Sequence, residues 1–444
     1  MFKYNSQLYT DVRIEKSFST NIRFRQKEME NFLEREENGV FIRIYNGSKW
    51  YYSSFSDIKK IQQEIDILSD LALKEKREND LLEEVFEINT GDQRLFFKEK
   101  VSDIKSSKKI NLLKSYFPLL NQEPLLKTFT ATYLDKYIEK EFVSSLGTRL
   151  KHDFQYAGVI FGMNFSNDND VFQEKFSFAS DDFKRLNTLT SKLAKQIKDS
   201  VNFLNNAKPI EPGKYTVVLS PSAAGVFAHE SFGHKSESDF MIGDDTMAKE
   251  WKIGKKVGAD ILSIVDDGNE RGMGFCPYDD EGTSARKTYL IKDGYLSGRL
   301  HSCLTAALLG ESGTGNARAL NFQFEPIVRM TTTYIEAGDM TKEELFKSVK
   351  EGIYVQSIKH GSGLSTFTLA PSLAWYIKDG KISHPVKVSV VSGNVFETLS
   401  KVEALSDEVE LLSFAGGGCG KMEQYPLPVG FGGPYVKVSE LMVQ

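Results

Sequence analysis

Apolar and polar positions alternate with period two over the first 45 residues. Leu8, Val12 and Ile14 share one parity, as do Ile22 and Phe24, then Val40, Ile42 and Ile44, while Arg23, Arg25 and Arg43 take the other. This alternation predicts antiparallel strands with one face on a core and one in water. Asn38-Gly39 and Asn46-Gly47 are turn dipeptides and are expected to connect these strands. The period then lengthens to that of a helix. Ile58, Ile61, Ile65, Leu68 and Ala72 form one stripe, with Ser56 as the expected N-cap. A second stripe of Phe183, Leu186, Leu189, Leu193, Ile197, Val201 and Leu204 predicts a helix over 181–205. Both stripes read as core-packing faces.

Beyond residue 210 the texture changes. Only six of the 34 glycines precede residue 211, whereas five of the six histidines and all three cysteines follow it. The proline-bearing stretch from Ala207 to Gly213 marks the expected boundary between an N-terminal scaffold, residues 1–208, and a C-terminal domain, residues 209–444. The latter is mostly strand and turn. Asp293-Gly294 and Asp379-Gly380 sit between apolar flanks, the signature of type I′ hairpins. Between them Thr341 and Glu344 form a capping box for a short helix on which Leu345 and Val349 share a face, with Gly352 as its expected stop.

Composition narrows the class. A net charge of −5 and a pI near 5.9 provide no broad positive field, which argues against nucleic acid as a partner. Three cysteines do not make a disulfide framework and point to a reducing compartment. The first residues lack the apolar run of a signal peptide, and no stretch reaches the ~18 apolar residues of a membrane span. The expected location is the cytoplasm, without membrane association.

The sharpest chemical signal runs from Ser220 to His234. Tyr215–Leu219 reads as a strand, Ser220 as an N-cap and Pro221 as the first residue of a helix. His229, Glu230 and His234 therefore lie on or at the end of that helix. Zinc-protease helices carry histidines four apart; here the spacing is five, which on a regular helix leaves the second ring about 140° from the first. A π-bulge would bring the rings together, and so would unwinding at Gly233. Cys419, flanked by Gly416, Gly417, Gly418 and Gly420, is the candidate third ligand. Two imidazoles and a thiolate would leave a zinc ion one open position for water, with Glu230 placed to take a proton from it.

Other readings compete. Cys419 could instead be a nucleophile with His229 or His234 as its base, or the cluster could be packing in a non-catalytic, peptide-binding subunit. The Gly416–Lys421 stretch departs from a phosphate loop, since Met422 follows the lysine. Asp279-Asp280-Glu281-Gly282-Thr283 reads as a solvated turn. Cys276 and Cys303 read as buried thiols, and His152, His301, His360 and His384 as structural residues.

His229-Glu230-x-x-x-His234 followed by Glu237-Ser238-Asp239-Phe240 resembles the TldD proteins of the TldD/PmbA family. Later blocks resemble that family in the same order: Val265-Asp266-Asp267-Gly268, Asp279 to Thr283, Pro326 to Tyr334, Lys350 to Tyr354, His384 to Lys387, and Cys419-Gly420-Lys421. The resemblance implies a zinc metallopeptidase acting on small or unfolded polypeptides. It implies zinc ligands at His229, His234 and Cys419 and the general base at Glu230. It also implies an α+β architecture, an N-terminal antiparallel sheet with helices followed by a strand-rich, barrel-like domain. The implied assembly is a dimer around an enclosed site, with an identical chain or a PmbA/TldE-like paralogue as partner.

Overall fold

The structure, a computed structural model, describes residues 2–75, 85–363 and 365–444. Its N-terminal sheet contains β1 (Tyr9–Arg25), β2 (Glu28–Tyr45), β3 (Trp50–Phe55), β4 (Thr90–Gln93), β5 (Leu126–Ser144), β6 (Arg149–Ser166) and β7 (Val171–Ser180). The order is β3-β2-β1-β5-β6, with β4 parallel and β7 antiparallel to β6. The period-two prediction holds, but one turn does not. Asn38-Gly39 lies inside β2, paired with Lys16 and Glu15, and the chain reverses instead at Gln26, with φ of 54°. Gly39 serves close approach rather than a turn: a Cβ there would lie 2.1 Å from the ring of Phe322. Asn46-Gly47 does turn, with Gly47 at φ 90° and the Asn46 carboxamide accepting from Ser48 and Lys49 N–H.

The predicted helices cover one sheet face, with shifted starts. Asp57, not Ser56, caps a 3-10 turn over Ile58–Lys60, since its carboxylate accepts from the Lys59 N–H; the α-helix then runs Ile61–Leu73 and buries Ile61, Ile65, Leu68 and Ala72. The second helix begins as a 3-10 turn, Phe183–Thr188, and becomes α-helical over Thr190–Asn206.

The C-terminal half is built around a closed barrel of five strands. Gly213–Leu219 lies between Glu351–Gly363, to which it is parallel, and Val436–Val443, to which it is antiparallel. Val391–Asn394 joins Val436–Val443 to Thr366–Lys378, and Thr366–Lys378 pairs with Glu351–Gly363 to close the ring. Its core includes Val217, Leu219, Phe227, Val355, Phe367, Leu369 and Val438. The fold is thus α+β with a barrel, as the resemblance implied. Asp293-Gly294 and Asp379-Gly380 both form hairpin turns with two successive positive φ angles. The Thr341–Glu344 capping box is present, but the helix stops at Lys347; Gly352 lies in the next strand.

The acidic run at 279–283 is not solvated. Asp279, Asp280 and Glu281 are buried and dock on the N-terminal sheet. Lys140 Nζ lies 2.6 Å from Asp280, and Arg43 bridges Glu281 at 2.9 Å and Asp11 at 2.7 Å. Arg43 therefore sits inside the protein rather than on the expected wet face. Opposite charge makes this burial tolerable to both sides.

Candidate metal centre

The small residues of Ser220–Gly233 let a helix pack tightly beside the barrel. Ser220 caps it by accepting from the Ala223 N–H, Pro221 fills the first turn, and Pro221–Ala228 is α-helical. The next turn, His229–Gly233, is a π-turn, followed by a 3-10 turn at His234–Ser236. Of the two geometries open to the sequence, the helix widens rather than unwinding at Gly233. The extra residue per turn brings the rings of His229 and His234 to a 5.1 Å centroid separation, nearly perpendicular to each other. Gly233 is required by space: a Cβ there would fall 2.0 Å from Met330 Sδ.

Cys419 arrives from 185 residues further along and places Sγ 3.4 Å from His234 Nε2. It begins the short strand Cys419–Lys421, which pairs with Gln424–Leu427. The preceding glycine-rich loop rests on the N-terminal sheet: Ser177 Oγ donates to the Ala415 carbonyl at 3.0 Å, and the Ala179 N–H donates to Ser413 O at 2.9 Å. The Cys419 carbonyl itself accepts from the Arg329 guanidinium at 2.7 Å.

Potential ligand atoms of His229, His234 and Cys419 lie within 4.8 Å of one another. His229 and Cys419 are buried and His234 is partly buried. Burial opposes a thiolate at Cys419, but the neighbouring His229 and His234 rings outweigh it and bring the thiol down to about 5. Burial likewise opposes a charged His234, yet its contacts with Cys419 and Glu237 raise it to about 10. His229 Nδ1 is buried without a hydrogen-bond partner among the described residues. An orphaned imidazole nitrogen, a second imidazole and a thiolate-prone sulfur form a donor set that suits zinc.

Glu230 is half-buried beside the first histidine, facing Gly361 and Gly363 of the Glu351–Gly363 strand. Glu237 is fully buried and lies 3.3 Å from His234 Nδ1; Lys421 Nζ lies 3.0 Å from the same carboxylate. Burial alone would raise Glu237, but His234 and Lys421 together hold it below the ordinary carboxylate range. The sequence signal for Glu237 was its position three residues beyond His234; its link to Lys421 has no signal in spacing. The other singled-out residues lie in other surroundings. Cys303 is buried beside Thr283, and burial raises the Cys276 thiol to about 11. His301 is hydrogen-bonded to Thr305 and Glu311, His384 stacks on Tyr376, and His152 is buried beneath Tyr278.

Residues 212–444 match the family described as the PmbA/TldA metallopeptidase C-terminal domain, and residues 10–74 match its domain 1. A Synechocystis sp. protein named a metalloprotease is 31% identical over 99% of this chain and 96% of its own length. A Saccharolobus solfataricus protein named a zinc metalloprotease TldD homolog is 27% identical over 100% and 99%. A Haemophilus influenzae metalloprotease TldD homolog is 38% identical over 52% of this chain and 48% of that one. Among solved structures, TldE from Thermococcus kodakarensis aligns with a TM-score of 0.78 at 15% identity, covering 98% of this chain and 96% of that one. A proposed modulator of a DNA gyrase from Thermotoga maritima aligns with a TM-score of 0.80 at 17% identity, covering 98% and 96%. These two likenesses establish the fold.

Proposed function

Since the chain belongs to the TldD/PmbA metallopeptidase family, we propose that it is a zinc-dependent peptidase that hydrolyses small or unfolded polypeptides. The convergence of His229, His234 and Cys419 within 4.8 Å carries this reading. These three residues would hold the ion, and residues 209–444 form the catalytic part on the 1–208 scaffold. Bound there, zinc would polarise the scissile carbonyl and lower the pKa of a coordinated water. Glu230 takes the proton of the attacking water and returns it to the leaving amine. The Glu237 carboxylate accepts from His234 Nδ1, and Arg329 holds the Cys419 backbone.

A substrate in extended form could add as a strand beside the site, which reads backbone before side chain and gives broad specificity. The family and the fold shared with TldE support a dimer, formed with an identical chain or a TldE-like paralogue. Among the described residues no helix is long and apolar enough to cross a membrane, and a cytoplasmic location remains part of this proposal.

The test is a peptide digest with Glu230→Gln, His234→Ala and chelator-treated protein. Glu230→Gln should keep zinc and lose about 10²- to 10⁴-fold in turnover, and His234→Ala should lose the metal. Chelation should abolish cleavage and added zinc restore it. Cleavage that survives metal removal would overturn the proposal in favour of a Cys419 thiol mechanism.

A further inference from the structure

Two charged residues in the family-like sequence blocks, Glu237 and Lys421, neither hold the ion nor move a proton in the chemistry above. Each stands just beyond a ligand: Glu237 three residues after His234, and Lys421 two residues after Cys419. Both are almost wholly buried, with side-chain exposures of 0% and 4%. Charged side chains reach such depth only when paired, and Glu237 is paired through Oε2, its Oε1 having no hydrogen-bond partner among the described residues. Lys421 Nζ has three partners, Glu237 as an ion pair and the other two by hydrogen bonds. They are Glu237 at 3.0 Å, the Asp239 carboxylate at 2.7 Å and the Val328 carbonyl at 2.9 Å. It has no donor left for a substrate. Glu237 in turn faces His234 Nδ1 at 3.3 Å.

We infer that Glu237 and Lys421 are positioning residues of the metal centre, which orient His234 and lock the histidine segment to the cysteine segment. The inference rests on the metallopeptidase reading. An imidazole whose Nδ1–H is held by a carboxylate presents Nε2 as its ligand atom to a metal, and that nitrogen is the one directed at Cys419 Sγ, 3.4 Å away. Lys421 supplies the counter-charge that lets Glu237 stay ionised without water. Because Lys421 belongs to the same short strand as Cys419, one ion pair sets both the rotation of a ring and the approach of a sulfur. Asp239 provides an internal contrast. It shares Lys421 with Glu237, but no contact to His234 accompanies it.

The experiment uses the full chain as wild type, Glu237→Gln, Lys421→Met and Asp239→Asn. Zinc affinity is measured by competition with a chromophoric chelator, visible spectra are recorded of the cobalt(II) forms, and thermal midpoints of the metal-free proteins are compared. Glu237→Gln and Lys421→Met should each weaken zinc about 10- to 100-fold and shift the cobalt–thiolate bands. Asp239→Asn should stay within about 3-fold of wild type with an unshifted spectrum. Glu237→Gln binding zinc as tightly as wild type would overturn the inference, as would equal weakening in Glu237→Gln and Asp239→Asn, the mark of a purely structural ion pair. If Lys421→Met does not fold, Glu237→Gln, nearly isosteric, decides alone. Wild-type protein that takes up no zinc would remove the metallopeptidase reading itself, a result distinct from either of these.

Discussion

Replacing Arg43 by methionine tests how the acidic 279–283 segment is held to the N-terminal sheet. Arg43 is 4% exposed, and its guanidinium donates from Nε and Nη2 to Asp11, at 3.0 and 2.7 Å, and from Nη1 to Glu281 at 2.9 Å. Asp11 and Glu281 are 1% and 3% exposed, so neither can turn to water once the cation is gone. Methionine keeps much of the apolar stem, so the loss is mainly that of charge compensation. Breaking a buried pair in this way costs about 3–5 kcal/mol. The surface pair Lys195–Asp199 is a useful contrast. It is shorter, at 2.6 Å, yet its lysine is 69% exposed and Lys195→Met should cost under ~1 kcal/mol. Burial, not distance, sets the difference. Urea unfolding with both variants gives the comparison, and added salt should reduce only the effect of the surface pair. Neutralising the stranded carboxylates in Arg43→Met/Asp11→Asn/Glu281→Gln should recover most of the loss. The reasoning fails if Arg43→Met costs less than ~1 kcal/mol, or if the triple variant is no more stable than the single one.

Three further outcomes follow from the same structure. Burial, reinforced by the Lys140 charge and opposed by Asp280, lowers His152 from 6.5 to about 4. The unfolded chain therefore takes up this proton first, and stability should fall by about 3 kcal/mol as pH drops from 6.5 to 4; denaturant titrations at stepped pH should show that slope flattened in His152→Phe, and an unchanged slope would refute it. Gly233→Ala forces a methyl toward Met330 Sδ and should destabilise by ~1–3 kcal/mol while weakening zinc binding; combined with Met330→Ala, the two changes should cost less together than the sum of their separate effects in unfolding titrations. Gly39→Ala meets the Phe322 ring and should also destabilise by ~1–3 kcal/mol, but the atoms it meets belong to Phe322 and not to His229, His234 or Cys419, so zinc affinity measured on the folded fraction should not change.

Much of the fold was legible because the responsible forces are local. Period-two alternation found β1 and β2, and Asp-Gly pairs located both hairpin turns, since only their backbone freedom suits two successive positive φ angles. The Thr341–Glu344 box was readable for the same reason. Misreadings arose where a distant segment sets the environment. Asn38-Gly39 has turn chemistry, yet Phe322 packs against it and the strand runs on. Asp279–Glu281 looks like a wet turn until Arg43 and Lys140 are placed beneath it. At the candidate site, the five-residue spacing left two geometries open. The π-turn sets Gly233 against Met330, a contact across nearly a hundred residues. Glu237 could be noticed from its offset to His234, but its pairing with Lys421 exists only after the chain has folded.

The closed barrel has a consequence for biosynthesis. Gly213–Leu219, the strand that launches the histidine-bearing helix, is flanked on one side by Glu351–Gly363 and on the other by Val436–Val443. A ribosome that has delivered both histidines still has Cys419 to add, 185 residues beyond His234, and the second flanking strand later still. A nascent chain thus carries His229 and His234 without Cys419 for much of its translation, and the ring of strands that supports them closes only when residues near 440 have emerged.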